Sequence, residues 1–265
     1  MRSRALAWGA VTERRLRRVG HKGADLIVPG NTPASFDAAL RAGIDMIEFD
    51  VVPEPPAESM SVRRAEAAGR AGRWRGSELL LAHDWSDARA RPAHTLADGL
   101  DHLAGAPFGD VELDVDLKLP GYEVAVVRAL RERGLLARTL ISSQYRESLA
   151  AIRQEEPALR LGWSVPKLRH DPFRARSALP FVLAAVQLAR ATLPVRAAAA
   201  IERGACDAVM AHWRLVTPRL VRAIAEAGGE LYVWTVDELP LLRSLHALGV
   251  TGVITNDPRL FTALA

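Results

Sequence analysis

The chain has 265 residues, 49% hydrophobic and 25% charged, with a formal charge of +4 and a pI of about 9.7. That apolar content excludes a disordered chain, and the length suits one α/β barrel better than several small domains. A single cysteine, Cys206, excludes an internal disulfide, and scattered arginines without a recognisable module argue against a nucleic-acid partner.

Residues 1–18 carry six arginines and a short apolar patch, without the apolar run and cleavage site of a secretory signal, so the expected location is cytoplasmic. The first strand, 18–21, runs into Val19-Gly20-His21-Lys22-Gly23. Pro29-Gly30-Asn31-Thr32 then offers a cap for a helix over 32–42, closed by Gly43. The second strand, 46–52, places Glu48 and Asp50 two residues apart and therefore on one face. The stretch 53–78 is rich in Pro, Ala, Gly and Arg and reads as a mobile insertion. Residues 79–82 read as an extra strand pairing back near the second, and they end at His83-Asp84. After a helix at 96–103 comes the third strand, 111–118. There Glu112, Asp114, Asp116 and Lys118 alternate with aliphatic residues, so the four charges share one face. In a barrel the aliphatic face packs on the helices and the charges point inward. Inward charge is expensive unless paired or metal-bound.

Further strands are expected at 139–143, 159–164, 207–211, 230–236 and 252–255, with helices at 122–133, 145–155, 218–227 and 239–248 between them. Eight strands each followed by a helix predict a TIM (β/α)8 barrel, one domain with its core at about 18–262 and the insertion after the second strand. The segment 179–201 has the length of a bilayer span but contains Pro180, Gln187, Arg190 and Pro194. It reads as a helix covering the barrel, with peripheral membrane contact as the alternative.

Catalytic groups of such barrels sit at the C-terminal ends of the strands. Glu48, Asp50 and Asp116 meet that condition without a Cys or His ligand pair nearby, which suits Mg²⁺ or Ca²⁺ over Zn²⁺. Lys22 or Lys118 would stabilise charge developing on a phosphate held beside such an ion. His21 and His83, each at a strand end, suit general acid/base work near neutral pH. His212 reads as substrate-facing. His94, His102, His170 and His246 fall in helices or loops and read as ordinary. Trp163, Trp213 and Trp234, all near strand ends, suggest an apolar pocket wall, Trp234 above all. Lysine is rare here: Lys22, Lys118 and Lys167 are the only three against 32 arginines, which makes the two motif lysines more informative.

In this order the segments resemble the glycerophosphodiester phosphodiesterase family. The resemblance rests on His21-Lys22-Gly23, Pro29-Gly30-Asn31-Thr32, Glu48-Phe49-Asp50, His83-Asp84, Asp116-Leu117-Lys118, Trp234-Thr235-Val236 and Gly252-Val253-Ile254-Thr255-Asn256-Asp257-Pro258. It implies a TIM barrel and metal-dependent hydrolysis of small glycerophosphodiesters to glycerol 3-phosphate and an alcohol. It makes His21 and His83 the acid/base pair, Glu48, Asp50 and Asp116 the metal ligands, and Lys118 a phosphate contact. The chain departs from the family pattern where Lys22 replaces Arg, Asp116 replaces Glu and Gly30 replaces Glu. It also departs where the insertion replaces a short hairpin. A lysophospholipase D-type activity and a non-catalytic phosphodiester-binding barrel are the alternatives.

Overall fold

A computed structural model describes residues 15–56, 60–167 and 179–264. Nine strands appear among them: β1 (Arg17–His21), β2 (Met46–Pro53), β3 (Leu79–Leu81), β4 (Glu112–Leu117), β5 (Thr139–Ser143), β6 (Arg160–Val165), β7 (Ala208–His212), β8 (Glu230–Trp234) and β9 (Gly252–Thr255). All but β3 are parallel to their neighbours, and β1 pairs with both β9 and β2, so eight strands close on themselves. The helices are α1 (Pro33–Arg41), α2 (Val62–Arg70), α3 (Trp85–Ala90), α4 (Leu96–Leu103), α5 (Glu123–Glu132), α6 (Arg146–Glu155), α7 (Leu179–Glu202), α8 (Pro218–Glu226) and α9 (Leu239–Leu248). This is a TIM barrel.

Local signals account for the boundaries. Thr32 caps α1, its hydroxyl accepting from Ser35 N, with Pro33 in the first turn where its missing N–H leaves nothing unpaired. Thr217 and Pro218 start α8 in the same way. Outward-facing residues such as Phe49, Val115, Ile141 and Val233 are fully buried against the helices.

The barrel interior is layered. At its base Glu112 accepts from both Arg17 and Arg160, and Arg160 also reaches Glu230 at 2.6 Å. Above lies an apolar layer of Val19, Met46, Leu140, Ala208, Met210, Tyr232 and Ile254. Gly162 belongs to this level because a Cβ there would press on Leu140 and Met210. The top level carries the charged strand ends.

β3 pairs antiparallel with β2, Val51 opposite Leu81, as expected for the extra strand. The arginine-rich stretch before it differs from expectation. It folds into α2, capped by Ser61, with Ala65, Glu66 and Gly69 buried. Glu66 accepts from the Tyr145 hydroxyl at 3.0 Å and pairs with Lys167 at 3.4 Å. Gly69 lies so close to the Pro120 carbonyl that a Cβ would overlap it. Alanines at 65, 67, 68 and 71 and arginines at 63, 64 and 70 favour a helix, which Gly69, Gly72 and the prolines before it obscure.

α7 is long and apolar enough to cross a bilayer by length and composition alone. Its C-terminal half packs on the barrel through Leu193, Ala197 and Ala200, all buried. The Arg190 guanidinium donates to the Arg214 carbonyl.

Candidate active site

Register brings the predicted carboxylates together. Glu48 stands opposite both His21 on β1 and Asp114 on β4, and Asp50 stands opposite Asp116. All these side chains therefore share the inward parity. Glu48, Asp50 and Asp116 each offer an oxygen within 4.8 Å of the others. The Lys118 ammonium lies among them, 2.6 Å from Asp50 Oδ1 and 2.5 Å from Asp116 Oδ2.

Asn31 anchors the cluster from the β1–α1 turn. Its amide donates to Asp50 Oδ2 and its carbonyl accepts from Asp50 N, both at 3.0 Å. Asn31 and Lys22 both adopt positive φ, at 57° and 51°. That left-handed backbone folds the turn back, so that Lys22 N donates to Glu48 Oε2 at 2.9 Å.

Burial and crowding shape the charges. Burial raises Glu48 well above the usual carboxylate range, and the Asp50 charge adds to the shift. Burial also raises Asp116, with Asp50 again contributing, although Lys118 opposes it. At Asp50 burial is outweighed by Lys118 and the neighbouring His83, His21 and Lys22, so that carboxyl is held low. Asp114, just beneath, is pushed up to about 8 by burial and by Asp116. Three of the four carboxyls therefore resist ionising together beside a single buried ammonium, and a cation among them would favour their charged forms. A buried all-oxygen donor set in that state fits a hard divalent cation.

His21 is pulled down to about 4, chiefly by burial. Its Nδ1 lies 2.6 Å from Asn256 Oδ1, while Asn256 Nδ2 and N both donate to Asp237. With the Asn256 amide oriented by Asp237, its oxygen accepts from Nδ1–H. That leaves Nε2 as a free base, 3.7 Å from Glu48. His83 follows β3, its ring 55% exposed and its Nδ1 3.2 Å from Asp84, which caps α3. His21 and His83 border one cavity of about 1000 Å³, together with Glu48, Asp116 and Lys118.

His212 and Trp234 line the same cavity, their rings packed edge to face with centroids 5.1 Å apart. Three expected contributors stand elsewhere. Trp213 stacks on His212, carries the Arg214 guanidinium over its ring and is not among the cavity-lining residues. Trp163 has outward parity between Gly162 and Ser164 and packs against Arg146 and Arg196 outside the barrel. Lys22 does not line the cavity either, because its ammonium turns to Asp25 at 2.9 Å. His170 lies outside the described residues.

Sequence reasoning placed Asn31 and Asn256 in motifs without giving them these contacts, and it passed over Asp237. Asp237 and Asn256 follow different strands, β8 and β9, so no spacing along the chain links them.

The profile of the Glycerophosphoryl diester phosphodiesterase family matches residues 109–260. A glycerophosphodiester phosphodiesterase of Caldanaerobacter subterraneus subsp. tengcongensis is 23% identical over 257 residues, covering 91% of this chain and 93% of that protein. One from Bacillus subtilis is 26% identical over 93% of this chain and 85% of its own length. Among solved structures, a phosphodiesterase of Oleispira antarctica in complex with the product sn-glycerol-3-phosphate shares the fold. Its TM-score is 0.64 at 18% identity, over 94% of this chain and 97% of that one. The glycerophosphodiester phosphodiesterase of Thermotoga maritima gives 0.63 at 15% identity, over 94% and 98%. Because the matched profile spans more than half of the chain and includes β4 with Asp116 and Lys118, the protein belongs to the glycerophosphoryl diester phosphodiesterase family.

Proposed function

We propose that the protein hydrolyses glycerophosphodiesters to glycerol 3-phosphate and an alcohol, with Mg²⁺ or Ca²⁺ held by Glu48, Asp50 and Asp116. The observation that carries this reading is the convergence of His21, His83 and the acidic cluster on one cavity. The family match and the relatives' names support the substrate class.

When bound, the cation neutralises non-bridging phosphate oxygens and so favours attack at phosphorus. His21, neutral at pH 7 with Nε2 free, takes the proton from the attacking hydroxyl. His83, open to the cavity mouth, gives a proton to the departing alcohol oxygen. Lys118 supplies a point charge to the phosphate from beside Asp50 and Asp116. Trp234 and His212 form the wall facing the acids and orient the glycerol or alcohol portion.

The test is release of glycerol 3-phosphate from glycerophosphocholine with Mg²⁺ or Ca²⁺ added. Replacement of the base, His21→Ala, should lower kcat by about 10²–10⁴-fold. Full activity in that variant, or none in the wild type with either ion, would refute the assignment.

A further inference from the structure

The acids and strong bases that line the cavity fall into two groups. Glu48, Asp114, Asp116 and Lys118 belong to the floor, at the ends of β2 and β4. Above it stand Asp84 and Arg89 on the α3 side, and Arg214 after β7. Beyond the floor, two guanidiniums therefore face one carboxylate.

α3 follows His83 directly, and His83 is the group assigned above to the departing alcohol. Trp85 and Ser86 are each about one turn from Arg89, so the three share the face of α3 that lines the cavity. Their neighbour Asp84 is committed to the helix cap and to His83. Its Oδ1 accepts from Asp87 N at 2.9 Å and its Oδ2 lies 3.2 Å from His83 Nδ1. Trp85 is tied as well, its indole N–H donating to the Pro53 carbonyl at 2.9 Å. Arg89 is exposed and donates one N–H to the Pro56 carbonyl at 3.1 Å. That bond steadies the guanidinium, a fork of five donors whose geometry matches a carboxylate or phosphate. An alcohol leaving past His83 thus meets the Ser86 hydroxyl and the Arg89 cation.

A quaternary ammonium fits this mouth less well, because such a group is held on aromatic faces. The aromatic rings of the cavity already have partners. Trp85 packs edge to face with Trp74, and Trp234 with His212. Tyr145 carries the Lys167 ammonium 3.9 Å from its ring centre, a charge that repels a second cation.

We infer that Arg89, with Ser86 beside it, receives an oxyanion carried by the departing alcohol, so that diesters of anionic alcohols are the preferred substrates. The inference rests on the phosphodiesterase reading above and names the head-group class for it. Water adds across the phosphorus–oxygen bond to that alcohol. The water oxygen stays on phosphorus, and the alcohol leaves carrying a proton, with its own anion untouched.

The test compares kcat/KM for glycerophosphoserine and glycerophosphoethanolamine with Mg²⁺ or Ca²⁺ present. The two differ by one carboxylate and share the ammonium. In the wild type the serine diester should be preferred at least about threefold, a modest value because Arg89 is solvated. Arg89→Gln should bring the ratio close to one, and the charge reversal Arg89→Glu should take it below one. Because each ratio is measured within one preparation, any loss of folded protein cancels. A wild-type ratio of one or less, with glycerophosphoethanolamine cleaved, would overturn the anion site and leave the phosphodiesterase reading intact. A preference that survives both substitutions would overturn the assignment to Arg89. Cleavage of neither diester refutes the phosphodiesterase reading instead.

Discussion

Asn256 decides which nitrogen of His21 is left for the cavity, and Asp237 decides which way Asn256 points. Burial keeps the imidazole neutral, and the amide oxygen that orients Nδ1–H opposes this less than a full negative charge would. The acidic limb of kcat/KM, where His21 becomes protonated, should therefore fall near pH 4 in the wild type. In Asn256→Asp the introduced carboxylate favours the imidazolium and raises the His21 pKa. The base form is then lost at higher pH, and the limb should move up by at least about one unit. An unmoved limb in a pH–rate profile would show that Asn256 does not orient the base. At this scale the sequence was readable wherever a charged side chain sits in a strand. His21, Glu48, Asp50 and Asp116 could be located because period-two alternation gives their facing. The same parity places Trp163 outside the barrel, but it becomes readable only once the register of β6 is known. Lys22 misled for a different reason. Its motif position points to phosphate, yet Asp25, three residues on, captures the ammonium.

Among the elements, α2 was the least legible. Its arginines are solvated and its prolines lie before it, so composition signals a loop, while the docking depends on two small features. Glu66 is buried against Tyr145 and Lys167, and Gly69 permits backbone contact with Pro120. Gly69→Leu should push α2 off that contact at about 1–3 kcal/mol. The measurable result is faster proteolytic cleavage within residues 57–78 while far-UV circular dichroism of the barrel stays the same. Cleavage at the wild-type rate would show that the docking does not depend on Gly69. The barrel strands, by contrast, were found within one or two residues of their observed ends, because alternation or short aliphatic runs bounded by glycine and polar turns mark them.

For the whole molecule, the two ends of the barrel do different work. At the base Arg160 bridges Glu112 and Glu230, each about a quarter exposed. Arg160→Met leaves both carboxylates without that partner and should cost about 1–3 kcal/mol, the lower end reflecting solvent screening. Thermal unfolding should show a drop of several degrees. At the top the acidic cluster is where the proposed cation would add to stability. At Mg²⁺ or Ca²⁺ a hundredfold above Kd, binding should add about 2.7 kcal/mol to stability. That corresponds to a rise of roughly 5 °C in Tm, absent in Asp50→Ala. An equal rise in the variant would place the ion elsewhere.

Between these ends lies the belt of Val19, Met46, Leu140, Met210, Tyr232 and Ile254. Among the described residues it keeps the hydrogen bonds of Glu112 apart from those of the acids above, although the Arg160 charge still reaches Asp114 across it. Substitutions of the base network that keep the Arg160 charge can therefore change thermal tolerance with little effect on the acids above. Directed evolution of this chain could search the two poles as separate problems and add the gains.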